Sequence, residues 1–194
     1  MVRITSLPAG GGDSTMHPVQ RARSGCVPPK PVTILIIEDD AATRLALACL
    51  VADERYQIVL ATSAEDALRR MHEIDPDVIL CDFLLDGMNG RQLCERLKAS
   101  PTWRYVPILV ITRVDAMCVV ADILRSGASD VLIKPVRGED LRARVVAALR
   151  TRLDYLQLRQ ESAGLTNGSI FRAHANPFDA EVAPALLSRL SVRA

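Results

Sequence analysis

A chain of 194 residues that is 49% hydrophobic holds enough apolar material for one sizeable core plus tails. Its net charge of +1 hides a gradient: residues 1–31 carry four basic and one acidic side chain, 32–148 carry 14 and 18, and 149–194 carry six and four. No segment is basic enough for a nucleic-acid footprint, and no apolar run has the length of a membrane span. The five cysteines, Cys26, Cys49, Cys81, Cys94 and Cys118, are scattered without CxxC spacing. Thiols of this kind suit a reducing, cytoplasmic setting, and Arg3 is not followed by the apolar stretch of a signal peptide.

Residues 1–31, with Gly10-Gly11-Gly12 and Pro28-Pro29-Lys30-Pro31, read as a disordered leader. Strand-like and helix-like patterns alternate from Val32 onward. Val32–Ile37 is a buried strand, and 41–53 has helical spacing with Leu45, Leu47, Ala48 and Val51 among its apolar positions. Tyr56–Ala61 is a second strand. Ser63, with Asp66 three residues later, opens a helix to about 73 that Asp75-Pro76 ends. A third strand over 77–81 leads through Gly87-Met88-Asn89-Gly90 into a helix over 91–99. A fourth strand over 106–111 precedes a helix over 115–126 that stops at Gly127. A fifth strand over 129–133 meets Lys134-Pro135, and a last helix begins near Gly138. Five such βα repeats predict an α/β fold: a doubly wound, flavodoxin-like parallel sheet in the order 2-1-3-4-5, covered on both faces.

That fold gathers the polar ends of its strands at one edge. Ile34-Leu35-Ile36-Ile37 runs into Glu38-Asp39-Asp40, and Val78-Ile79-Leu80-Cys81 runs into Asp82. The fourth and fifth strands end in Thr112 and Lys134. Taken singly, the acidic triplet reads as a solvated loop, Asp82 as a turn residue, Thr112 as a helix cap and Lys134-Pro135 as a turn. Taken jointly, they put several carboxylates into one cleft. Two unit charges at about 4 Å repel by roughly 4 kcal/mol at an effective dielectric near 20. A hard cation relieves that repulsion, and carboxylate oxygens are the ligands Mg²⁺ prefers. Asp40 has a different job, as an anionic cap on the first helix.

With these blocks in place, residues 32–150 resemble the receiver domain of two-component response regulators. The resemblance is carried by Ile34–Asp40, Pro76–Asp82, Gly87–Gly90, Pro107–Thr112 and Gly127–Pro135, at matching spacings. It implies that Asp82 accepts a phosphoryl group from a phosphohistidine on a sensor histidine kinase or a histidine phosphotransfer protein. It implies Mg²⁺ held by Asp39, Asp82 and the backbone carbonyl of Leu84, with Glu38 assisting. Thr112 would bond the incoming phosphoryl oxygen, Lys134 would pair with Asp82, and the Lys134–Pro135 bond would be cis. It further implies a phosphoacceptor rather than an enzyme, a downstream protein effector, no direct nucleic-acid contact, no membrane insertion, and a surface on which two copies can pair.

Three departures from the family pattern stand out. Val131, three residues before Lys134, occupies a position where many receivers carry an aromatic that swings on activation. Arg113 follows Thr112 where a small residue is usual, and it either screens Asp82 or points to solvent. Leu84 is apolar where a polar residue would orient a hydrolytic water, so with Arg113 it suggests a long-lived phosphoryl group, an idea that a half-life of seconds would sink. Beyond residue 150, a helical extension is expected over 151–164, either projecting as a short coiled coil or packing back on the domain. A flexible tail with a short helix over 180–190 follows. Two competing readings are a non-switching adaptor of receiver fold and a receiver that is part of a longer regulator. A third, a Mg²⁺-dependent phosphohydrolase, is opposed by Leu84, which stands where such enzymes place a second acid.

Overall fold

The computed structural model describes residues 3–6 and 31–162. Its strands are β1 (Arg3–Ser6), β2 (Val32–Ile37), β3 (Tyr56–Ala61), β4 (Val78–Asp82), β5 (Ile108–Thr112) and β6 (Asp130–Ile133). Its helices are α1 (Ala41–Val51), α2 (Ala64–Arg69), α3 (Met71–Ile74), α4 (Gly90–Ala99), α5 (Met117–Arg125) and α6 (Gly138–Ser162). All strand pairs are parallel, in the order β1-β3-β2-β4-β5-β6. The five expected strands therefore stand in the order 2-1-3-4-5.

Every residue of β2, β4 and β5 is buried, as a sheet covered on both faces requires. The period of two then splits each strand between two cores. Leu35, Ile37, Ile79, Cys81, Ile108 and Val110 face a cluster completed by residues of α2 to α5 and by Trp103. Ile34, Ile36, Val78, Leu80, Leu109 and Ile111 face the other, closed by Leu47 and Val51 of α1 and by Leu141, Val145 and Leu149 of α6.

Local chemistry sets the helix ends. Asp40 Oδ1 accepts from Thr43 N at 2.7 Å, and Ser63 Oγ accepts from Asp66 N at 3.1 Å. Asn89 and Gln92 form a reciprocal capping box on α4. Gly127, at φ +101°, ends the α5 turn in the left-handed region.

The structure departs from the sequence expectation at two places and decides between two open alternatives at a third. The single helix expected from Ser63 to about 73 is two, because Arg70 leaves helical geometry at φ −108°, ψ 5° while its guanidinium bonds back to Asp66 at 3.0 Å. Residues 3–6, read as part of a disordered leader, form β1 beside β3, with Arg3 opposite Gln57 and Ser6 opposite Leu60. An edge strand offers unpaired N–H and C=O groups that any extended segment can bond, so leader composition does not exclude pairing. Finally, α6 is one helix that runs through residue 150 without a break. Tyr155 on that helix stacks on Tyr105 with centroids 3.9 Å apart, and Arg152 is buried, so the extension packs back on its own domain. The expected helix over 180–190 lies outside the described residues.

Candidate functional site

Register brings the polar strand ends together. Ile37 stands opposite Cys81, Asp82 opposite Ile111, and Thr112 opposite Ile133. Glu38 and Asp82 thus emerge on adjacent strands, and Thr112 emerges beside Lys134. The backbone fastens these ends further: Lys134 N donates to Thr112 O at 2.7 Å, Phe83 N to Ile111 O at 2.8 Å, and Glu38 N to Ala61 O at 3.2 Å.

At the centre is the Lys134 ammonium. It lies 2.6 Å from Asp82 Oδ1 and 2.8 Å from Glu38 Oε2. Both carboxylates are almost wholly buried, at 8% and 3% side-chain exposure, so this ion pair is little screened by solvent. Two buried carboxylates share one ammonium, and the protonation equilibria follow. Burial pushes the Glu38 carboxyl above its ordinary value and Asp82 adds to the rise, which the bond to Lys134 only partly offsets. Burial alone would depress the Lys134 ammonium, but its bonds to Asp82 and Glu38 outweigh that and hold it above its ordinary value.

The second oxygen of Asp82, Oδ2, accepts from Leu84 N at 3.0 Å. The Leu84 side chain itself is 56% exposed. Thr112 is fully buried, and its Oγ1 accepts from Val114 N at 3.0 Å, which leaves the hydroxyl proton available to donate. Asp39 is exposed at the rim and accepts from Asp40 N at 2.8 Å. Asp40 caps α1 as expected, and its bonds to Thr43 hold its carboxyl below the ordinary range. The Lys134–Pro135 peptide is cis.

The structure thus clusters Glu38, Asp82, Thr112 and Lys134 and leaves Asp39 at the rim. Among the described residues, no three His, Cys, Asp or Glu side chains converge as a ready-made cation cage. The reason is visible: Lys134 draws Glu38 and Asp82 onto itself, while Asp39 faces outward. Arg113 is exposed, and with Thr43, Ala46, Leu50, Lys134 and Val136 it lines a groove of about 410 Å³ between α1 and the segment that follows β6.

The sequence reading missed Arg44. Its Nη1 donates to the carbonyls of Glu38 at 2.6 Å and Asp39 at 3.1 Å, so it secures the backbone of the acidic loop rather than its carboxylates. A signal was available, because Arg44 lies one helical turn past Asp40, within reach of the loop before α1.

Known proteins place this arrangement. The family model described as "Response regulator receiver domain" matches residues 34–146. The chain belongs to the response regulator receiver family. Receivers of two-component systems are similar to it along this stretch. Transcriptional regulatory protein AfsQ1 of Streptomyces coelicolor is 39% identical over 119 residues, which cover 61% of this chain and 51% of AfsQ1. Response regulator PleD of Caulobacter vibrioides is 39% identical over 144 residues, covering 73% of this chain and 32% of PleD. The crystal structure of a two-component response regulator from Clostridium difficile superposes with a TM-score of 0.56 at 29% identity, covering 61% of this chain and 96% of that one. The match thus spans about half of AfsQ1 and a third of PleD. No described helix is long and apolar enough to cross a membrane.

Proposed function

We propose that this receiver is a phosphoacceptor: Asp82 takes a phosphoryl group from a phosphohistidine of a sensor histidine kinase or phosphotransfer protein. The observation that carries the reading is Lys134 bridging Asp82 and Glu38 at the buried strand ends. An anionic donor can approach a carboxylate only if positive charge offsets the repulsion, and the ammonium supplies it at the reacting oxygen. One Asp82 oxygen attacks phosphorus while the bond from phosphorus to the histidine nitrogen breaks. Lys134 then pairs with the transferred group, and the free proton of Thr112 donates to one of its oxygens.

The site suits a divalent cation. Glu38, Asp39 and Asp82 against Lys134 leave a formal excess of two negative charges, and all the donors are oxygens, as Mg²⁺ requires. Asp39, Asp82 and the Leu84 carbonyl would hold it, with Glu38 assisting, and it would supply charge neutralisation during transfer. The added phosphoryl charge, about −1.5 to −2, would bias a surface that a protein effector reads. A cytoplasmic location, no direct nucleic-acid contact by this domain, and pairing of two copies complete the proposal.

The test is intact mass after incubation with Mg²⁺ and acetyl phosphate or phosphoramidate, beside Asp82→Asn. We expect one added phosphoryl group in the wild type only. A folded wild type that gains none points to the second reading, a non-switching adaptor. Val131 favours that reading: it is a half-buried aliphatic packed on the core, with no ring to reorient.

A further inference from the structure

The loop between β4 and α4, residues 83–89, carries the Leu84 backbone next to Asp82. Both of its ends are secured by bonds of their own. Phe83 N bonds Ile111 O, Gly90 N bonds Phe83 O at 3.0 Å, and the Asn89–Gln92 box closes the far end. Just before that box it is also held from α2. Glu65, the second residue of α2, accepts from Met88 N through Oε1 at 2.8 Å. The same oxygen closes over Gly87, where a Cβ would lie 2.9 Å from it and where φ is +82°. A carboxylate set over a left-handed glycine and an adjacent N–H is a clamp on one loop conformation, because that backbone geometry is open to few other residues.

We propose that Glu65 is a positioning residue for the acidic site. By accepting the Met88 N–H it holds the 83–89 loop, and with it the Leu84 backbone, in the orientation that serves a divalent cation at Asp82. This rests on the phosphoacceptor reading above. A purely structural role would stabilise α2 or the fold without altering cation binding. A purely electrostatic role would depend on the Glu65 charge and not on its acceptor oxygen.

The full chain carrying Glu65→Ala or Glu65→Gln separates these roles. Mg²⁺ affinity is read by calorimetric titration without phosphodonor, and urea midpoints report folding. Glu65→Ala is expected to weaken Mg²⁺ binding about three- to tenfold, at or below the usual range for groups that orient metal ligands. Glu65→Gln keeps a carbonyl acceptor and stays within about twofold of the wild type on the same grounds. The inference fails if Glu65→Ala binds Mg²⁺ like the wild type, whatever its stability. It fails equally if Glu65→Gln is as weak as Glu65→Ala, which would make charge the cause. A wild type that binds no Mg²⁺ sinks the phosphoacceptor reading and this inference with it, whereas a tight wild type beside an unaffected Glu65→Ala sinks only the inference.

Discussion

Two buried carboxylates and one partly buried ammonium define the residue scale. Each carboxylate has half a counter-charge, whereas the ammonium has two. That asymmetry explains why Glu38 is pushed up by burial while Lys134 is pulled up by its partners. The sign for stability follows. Glu38 binds its proton more tightly folded than unfolded, so stability falls as pH rises above its ordinary 4.5 and through the raised folded value. Urea midpoints of Glu38→Gln should show a flatter decline from pH 4.5 to neutrality than those of the wild type. Lys134 carries the same sign in a higher window: its contribution is complete below its ordinary 10.5 and is lost as pH rises through the raised folded value. Lys134→Met should cost about 3 kcal/mol at pH 7, because removing one partner leaves buried charge uncompensated. That cost should shrink toward pH 5 as Glu38 takes up a proton, and an equal cost at both pH values would refute the account.

At the scale of elements, α6 separates what the chain showed from what it did not. The spacing of Val146, Leu149, Leu153 and Leu156 announced a helix past residue 150. It left open whether that helix projects or returns, because apolar spacing defines a face and not its partner. Tyr105 stacked on Tyr155 decides it, and the two tyrosines are 50 positions apart with no periodic relation. Tyr155→Ala should therefore speed amide exchange over 150–159 while the phosphoryl uptake proposed for Asp82 stays as in the wild type. Unchanged exchange would mean the ring pair does not hold the helix. The break at Arg70 was hidden for a related reason, since the capping signal at Ser63 and the stop at Asp75-Pro76 say nothing of a kink between them.

At the scale of the molecule, the parallel sheet was legible because β2, β4 and β5 are apolar runs, broken only by Thr33, that end in or lead straight into polar residues. The buried half of the site was legible for the same reason: the residue at or just past the end of each strand lands on one edge once the order is known. Its supports were not. Arg44 and Glu65 act by bonding backbone groups, and a side chain that bonds a distant N–H or carbonyl leaves no mark in the pattern of residue types. β1 was hidden as well, because four residues of ordinary composition become a strand only through the edge they meet. The length of α6 has a consequence of its own. Its 25 residues make a rod of about 38 Å at 1.5 Å per residue. The rod starts four positions after Lys134 and passes Tyr105, which precedes β5 at the amino-terminal side of the sheet. The helix therefore hands the chain over on the side opposite the carboxylates.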